Sequence, residues 1–324
     1  MRIRVWLRGL AGAAILAGVV WWYPIEVFTD AFALVDAGAI ALALGVGAAT
    51  TVLSAARWRV VACAVGLRLP LGRAVADYYR AVFLNAVLPA GVLGDVHRAL
   101  LHGRYAGDLP RGVRAVVLER LAGQVVLALT AAALLFALPA ALLGPGLRAV
   151  GVSAGVVAVL AAGTALGLAA GRRRRPRWWR ALRAAAADAR SGLWSHRVQV
   201  VVLSAAALAG YVVLFLVAAR LAGVTAPWAQ LVPLVVLALL AMSLPVNVGG
   251  WGPREAVAGL AFGAAGLGAD QGVTVSVVYG LLALVAALPG AVVLVLRAAQ
   301  GREVPGEGLH QGGDQSTSFV GRGQ

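Results

Sequence analysis

Three groups of charged residues lie where the chain is otherwise apolar. "LPAGVLGDVHRA" from Leu88 brings Asp95, His97 and Arg98 together, and "LPVNVGGWGPRE" from Leu244 ends in Arg254 and Glu255. Glu119 and Arg120 open the apolar run "VVLERLAGQVVLAL". A single Arg or Asp at the centre of a bilayer costs ~2.5–3.5 kcal/mol even on the lenient insertion scale, so such residues face a cavity or an ionic partner. Guanidinium groups held in this way suit a phosphate-bearing ligand. Plainer readings stand beside this one: Arg98 lies near a membrane surface, Arg254 and Glu255 pair with each other, and Glu119 and Arg120 snorkel to the interface. Asp95, His97 and Arg98 could act as acid and base, but four scattered histidines and the single Cys63 give no nucleophile–base pair and no metal spacing. No nucleotide-binding glycine loop occurs in a strand–helix context. The chain is therefore expected to be no enzyme, with neither metal nor cofactor.

The first and second groups follow breaks that match each other. Each reads Leu-Pro, four residues, Gly, three residues, Arg, so Pro89, Gly94 and Arg98 correspond to Pro245, Gly250 and Arg254. A helix broken by Pro and Gly frees N–H and C=O groups that hydrocarbon cannot satisfy, and these must face protein, water or a ligand. The N-terminus of a half-helix also favours an anion. Asn85 and Asn247 are further polar candidates beside the breaks, with Gly249 and Gly252 as backbone positions open to a ligand. Asp77, Tyr78, Tyr79 and Arg80 read instead as an interface belt.

The elements that must position these residues are membrane helices. Hydrophobic residues make up 61% of the 324 residues and charged ones 13%, about half the charged share of a soluble domain. The apolar runs are continuous and approach the ~20 residues needed to cross a bilayer. The expected fold is an all-α polytopic membrane protein with about six full transmembrane helices, roughly 7–23, 34–56, 114–138, 149–170, 198–221 and 272–296. Two segments, about 74–102 and 228–268, have halves too short for a comfortable crossing and read as re-entrant helical hairpins. The N-terminal run is read as a retained span rather than a signal peptide. All the basic residues counted in the formal charge of +15 are Arg. Most flank the spans on one side, including Arg57, Arg59, Arg68 and Arg73 after the second span, with Arg148 and Arg220 as exceptions. That bias places both termini in the cytoplasm and explains the high pI without nucleic acid. In this topology the two hairpins enter from opposite sides, so the chain reads as inverted repeats, about 1–145 and 146–300, the pattern that points to a transporter's midplane site. The basic linker 171–197 is either a stop-transfer block or an interfacial helix, with anionic membrane lipids attracted at 172–183 in both cases. Residues 301–324 read as a disordered cytoplasmic tail.

At these residues the chain resembles the transmembrane, flippase-like domain of lysylphosphatidylglycerol synthases, which also occurs as a standalone membrane protein. The resemblance rests on "ARWRVVACAVGL", "YYRAVFLNAVLPAGVLGDVHRALL", "LERLAGQVVLAL" and "LPVNVGGWGPREA", in that order over about residues 40–296. It implies a domain (1–300) associated with moving lipids between the leaflets of a bacterial or archaeal plasma membrane. The lipid classes it implies are phospholipid, aminoacyl-phosphatidylglycerol and polyprenyl-phosphate or glycolipid. Carried over by motif, Asn85, Pro89, Gly94, Asp95 and Arg98 line one half of a site, with Glu119 and Arg120 beside them. Gly250, Gly252 and Glu255 line the other. The chain departs from the family pattern at Leu93, where Gly is frequent, and at Gly123, where an acidic residue is frequent. Other readings of the same residues are a secondary transporter of a soluble anion, or a non-transporting subunit that partners a lipid-modifying enzyme.

Overall fold

The computed structural model describes residues 32–88, 91–137, 195–243 and 251–300, of which 298–300 by backbone only. These residues form helices and no strands. In chain order the helices are α1 (Ala37–Ala64), α2 (Leu71–Val87), α3 (Leu93–Tyr105), α4 (Leu109–Ala137), α5 (Arg197–Leu221), α6 (Trp228–Met242), α7 (Pro253–Ala264), α8 (Ala269–Ala287) and α9 (Pro289–Gln300).

Four runs among the described residues are long and apolar enough to cross a membrane: Ala37–Ala64, Leu109–Leu135, Arg197–Leu221 and Ala269–Arg297. They coincide with the second, third, fifth and sixth predicted spans. The predicted spans 7–23 and 149–170, the tail, and the linker up to 194 lie outside the described residues. Between the long helices sit α2–α3 and α6–α7, in the segments read from the sequence as hairpins. In each pair the two helices pack against each other across the break. Helix α6 has only 15 residues, about 22 Å at the α-helical rise and short of the ~30 Å hydrocarbon core. Residues Leu231 and Leu234 through Ala241 are all buried, which accounts for a helix apolar on every face.

Small residues set the helix spacing. A Cβ at Gly94 would meet the Ala81 carbonyl oxygen at 2.1 Å, one at Gly272 the Ala258 carbonyl at 2.4 Å, and one at Gly290 the Tyr79 carbonyl at 2.2 Å. Backbone therefore lies on backbone where α3 meets α2, where α8 meets α7 and where α9 meets α2, the close approach that membrane helices use in place of a hydrophobic driving force. The buried core is centred on α5, α6, α7 and α8, with Phe215 stacked on Tyr279 at 4.3 Å.

Three readings of the sequence change here. Helix α1 runs on to Ala64, beyond the expected end at 56, so Arg57 and Arg59 belong to the helix instead of flanking it; Arg57 is buried. Helix α4 begins at Leu109, which puts Glu119 well inside it rather than about a turn from its start. The residues taken for an interface belt are split, because Asp77 and Arg80 are buried and bonded to each other. Arg297 of α9 approaches Asp77 at 3.4 Å. Apolar flanks hide such helix extensions, since hydropathy marks where a span is greasy and not where its hydrogen bonding ends.

Candidate functional site

Five helices contribute side chains to one charge network at the first break. Glu119 of α4 is its hub. One carboxylate oxygen accepts from Arg57 of α1 through Nε at 2.9 Å and Nη2 at 2.5 Å. The other accepts from Arg98 Nη2 of α3 at 2.6 Å. Arg98 also donates through Nε to Asp95 at 2.9 Å, and Arg57 donates to Ser204 Oγ of α5 at 3.2 Å. Asp95 turns its second oxygen to Arg120 of α4 and to the Asn85 amide of α2, the latter at 3.1 Å. The Arg98 guanidinium lies between two rings, Tyr78 at 4.4 Å and Trp58 at 4.7 Å. The network holds three guanidinium cations (Arg57, Arg98, Arg120) against two carboxylates (Asp95, Glu119), one net positive charge.

The second break carries a smaller arrangement on α7 and α8. Arg254 donates to Glu255 Oε1 at 2.9 and 2.5 Å and to Ser276 Oγ at 2.9 Å. Ser276 Oγ also lies 3.0 Å from Glu255 Oε1 as a donor. Trp251 and Tyr279 lie about the guanidinium at 5.0 and 5.1 Å. Here one cation meets one anion, so the pair is neutral. Both Arg98 and Arg254 are thus pinned by a carboxylate and two aromatic faces, the surroundings in which a desolvated guanidinium is stabilised.

Each break also satisfies an amide at the start of its second helix from within the protein. Gly94 N–H donates to Asn85 Oδ1 at 2.7 Å. Gly252 N–H donates to Glu255 Oε2 at 2.6 Å. Gly252 is the N-cap of α7 and has φ +104°, a backbone region that glycine alone enters without strain. The expectation that these helix starts stand open to an anionic ligand is narrowed accordingly: Asn85 and Glu255 already accept from one amide in each.

Both arrangements border one cavity of about 540 Å³, within the ~300–1,000 Å³ range of small-molecule sites. Of the residues predicted from sequence, Asn85, Asp95, Arg98, Glu119, Arg120 and Arg254 line it. Gly94, Gly252 and Glu255 do not reach its wall; they hold the helix starts or the arginine that does. Pro89, Pro245, Asn247, Gly249 and Gly250 lie outside the described residues. Val46, Leu127, Leu208, Leu214 and Leu284 supply apolar wall between the charged groups.

Sequence reasoning missed Arg57, Tyr78, Ser204, Trp251, Ser276 and Tyr279. Arg57 was counted as a topology marker, because an arginine after an apolar run ordinarily caps a span. Lone serines in apolar helices carry no signal until the facing charge is known. Two glycines would have been informative. A Cβ at Gly123 would stand 3.1 Å from Arg57 Nη1, and one at Gly280 would stand 2.6 Å from Arg254 Nη2 and 2.8 Å from the Trp251 ring. Each leaves room for a guanidinium inside the bundle, and Gly123 is one of the two positions where the chain departs from the family pattern. Among the described residues no group of three His, Cys, Asp or Glu side chains could hold a metal ion.

A family model described as the lysylphosphatidylglycerol synthase TM region matches residues 9–290, and the chain belongs to that family. No curated protein and no solved structure matches it.

Proposed function

We propose that this member of the family is a lipid flippase-like membrane protein that takes a phosphate-bearing headgroup into the cavity between the two breaks and passes the lipid between leaflets. The observation that carries the reading is the cavity's lining. Four guanidiniums (Arg57, Arg98, Arg120 and Arg254) meet at one space whose remaining wall is mostly apolar, with polar side chains such as Thr50, Thr51 and Gln124 among it. With Asp95, Glu119 and the Arg254-bound Glu255 counted against them, the site keeps one net positive charge. A buried site of this sign attracts an anion, and the apolar wall suits a ligand whose acyl chains stay in hydrocarbon. In this reading α2–α3 and α6–α7 are re-entrant hairpins of two inverted repeats, and both termini face the cytoplasm. The protein performs no covalent chemistry. A separate lipid-modifying enzyme is the natural supplier or consumer of its lipid.

Reconstitution tests the proposal. Proteoliposomes containing a phospholipid labelled on its headgroup are quenched from outside with a membrane-impermeant reductant, and the fraction quenched reports transfer. The wild-type protein should raise that fraction well above protein-free vesicles. Ala86→Trp, which fills the cavity from a wall position that makes no polar contact, should return it to the protein-free level. Equal transfer by wild type and the blocked variant would remove the cavity from the mechanism. Uptake of a soluble phosphate ester without lipid transfer would identify a soluble-anion transporter instead.

A further inference from the structure

The four cavity arginines are not equivalent, and the difference assigns them separate tasks. Arg57, Arg98 and Arg254 are each at most 8% exposed. Arg57 is held by Glu119 and Ser204, and Arg98 and Arg254 are each clamped by a carboxylate and two rings. Each of these three would have to give up a hydroxyl or two ring faces as well as a carboxylate in order to meet a ligand. Arg120 differs on every count. Its side chain is 35% exposed, it lines the cavity, and it makes no ring contact among the described residues. Its contacts are Asp95 and, at 3.5 Å, the Gly91 carbonyl.

Asp95 is the other half of the argument. Its side chain is 13% exposed, and it is bonded to Arg98 through one oxygen and to Asn85 and Arg120 through the other. If Arg120 departs, Asp95 keeps both Arg98 and Asn85. The Asp95–Arg120 contact is therefore the ion pair in the network whose cation is partly exposed and held by neither ring nor hydroxyl among the described residues. Its opening leaves Asp95 with Arg98 and Asn85, provided an incoming anion takes Arg120.

We propose that Arg120 is the guanidinium that binds the headgroup, that Asp95 occupies it in the empty protein as a stand-in for the ligand's phosphate, and that Arg57, Arg98 and Arg254 position the cavity without touching ligand. The charge count names the ligand class. The network carries a surplus of one positive charge, so a headgroup with one net negative charge, a phosphodiester without a compensating cation, brings it to neutrality. A zwitterionic headgroup leaves the surplus in place, and a dianionic monoester overshoots it.

This inference rests on the lipid reading above, and the experiment separates the two. Purified protein with Cys63→Ala and Ala86→Cys, a reporter on the cavity wall, is labelled with a small charged thiol reagent with and without the further change Arg120→Ala. The labelling is carried out in vesicles of phosphatidylcholine alone, in vesicles containing phosphatidylglycerol, and in phosphatidylcholine vesicles with added glycerol phosphodiester. In parallel, binding of headgroup-labelled phosphatidylglycerol is measured for Arg120→Ala and Asp95→Asn in the Arg120-containing protein. The expected results are at least tenfold weaker binding for Arg120→Ala and severalfold tighter binding for Asp95→Asn, because the stand-in carboxylate is gone. Phosphatidylglycerol should protect position 86 while Arg120 is present and not after Arg120→Ala, and phosphatidylcholine should not protect it in either protein. A merely structural ion pair predicts weaker binding from both substitutions, and that result overturns the proposal. Should Asp95→Asn fail to fold, the protection experiment decides alone: labelling equal in all vesicles while Arg120 is present, or protection that survives Arg120→Ala, overturns it. If phosphatidylglycerol binds and Arg120→Ala leaves binding unchanged, Arg120 is wrongly assigned and the lipid reading stands. If only the soluble phosphodiester protects position 86, and Arg120→Ala abolishes that protection, the lipid reading falls and the assignment of Arg120 survives.

Discussion

The two breaks share a sequence pattern and differ in how they hold their charges. At the first, five charged side chains come from three helices, and Glu119 is 62 residues from Arg57 and 21 from Arg98. At the second, the ion pair joins neighbours in sequence, Arg254 and Glu255, with the Ser276 hydroxyl of α8 and the Met242 sulfur of α6 as partners from other helices. The matched arginines are also not matched in structure. Helix α3 resumes at Leu93, so Arg98 sits more than a turn inside it, whereas α7 resumes at Pro253 and Arg254 follows at once. An aligned motif has thus been built into a tertiary staple in one place and a local cap in the other. The lesson is that a repeat visible as spacing does not fix which helices its charges tie together.

The comparison can be broken most directly at its hub. Glu119→Gln leaves Arg57 with no carboxylate and takes one of two carboxylates from Arg98. Removing one partner of a buried pair costs about 3–5 kcal/mol, so the midpoint of thermal unfolding in detergent should fall steeply. Amide exchange should rise in α1, α3 and α4 together; a variant as stable as wild type would deny that the network is a staple. Glu255→Gln should cost less, about 3 kcal/mol at the lower end of the same range, because Ser276 stays with Arg254 and glutamine can still accept from Gly252. Its effect on exchange should be confined to the start of α7 and the facing part of α8. Exchange spreading into α1 or α4 would show the second break to be tertiary like the first. The smallest pair sharpens the contrast. Asn85→Ala and Ser276→Ala should each cost about 1 kcal/mol, the ordinary value of a helix-cap or neutral hydrogen bond. Only Asn85→Ala should loosen the contact between α2 and α3, read as faster exchange at Gly94. Equal exchange at Gly94 in both variants would remove Asn85 from that role.

Much of this arrangement was legible before any coordinates. Continuous apolar runs located the four long helices, Pro and Gly located the breaks, and the cost of charge in hydrocarbon singled out Asp95, Arg98, Glu119, Arg120 and Arg254. The pairing was not legible. Arg57 looks like a flank because the sequence says nothing of where α1 ends, and its partner is known only once α4 is packed beside it. Tyr78 and Trp58 could be read as interfacial aromatics as readily as plates about a guanidinium. Ser204 and Ser276 are single hydroxyls in apolar helices whose meaning comes wholly from the arginine opposite. Composition reports what must be hidden, while contacts across 20 residues or more decide from what.

The Arg57–Glu119 contact has a consequence for how the protein is made. Helix α1 leaves the ribosome with an arginine near its C-terminal end and no acid to meet it, for Glu119 is 62 residues behind. At the usual ~5–20 residues per second of synthesis, the interval is ~3–12 s. Until it ends, Arg57 can keep its charge hydrated only by reaching for the headgroups. Final seating of α1 therefore waits for α4, and biogenesis of this half proceeds as a late joining of helices already threaded. Nascent chains arrested before and after Glu119 emerges should differ in the depth of α1 in the bilayer.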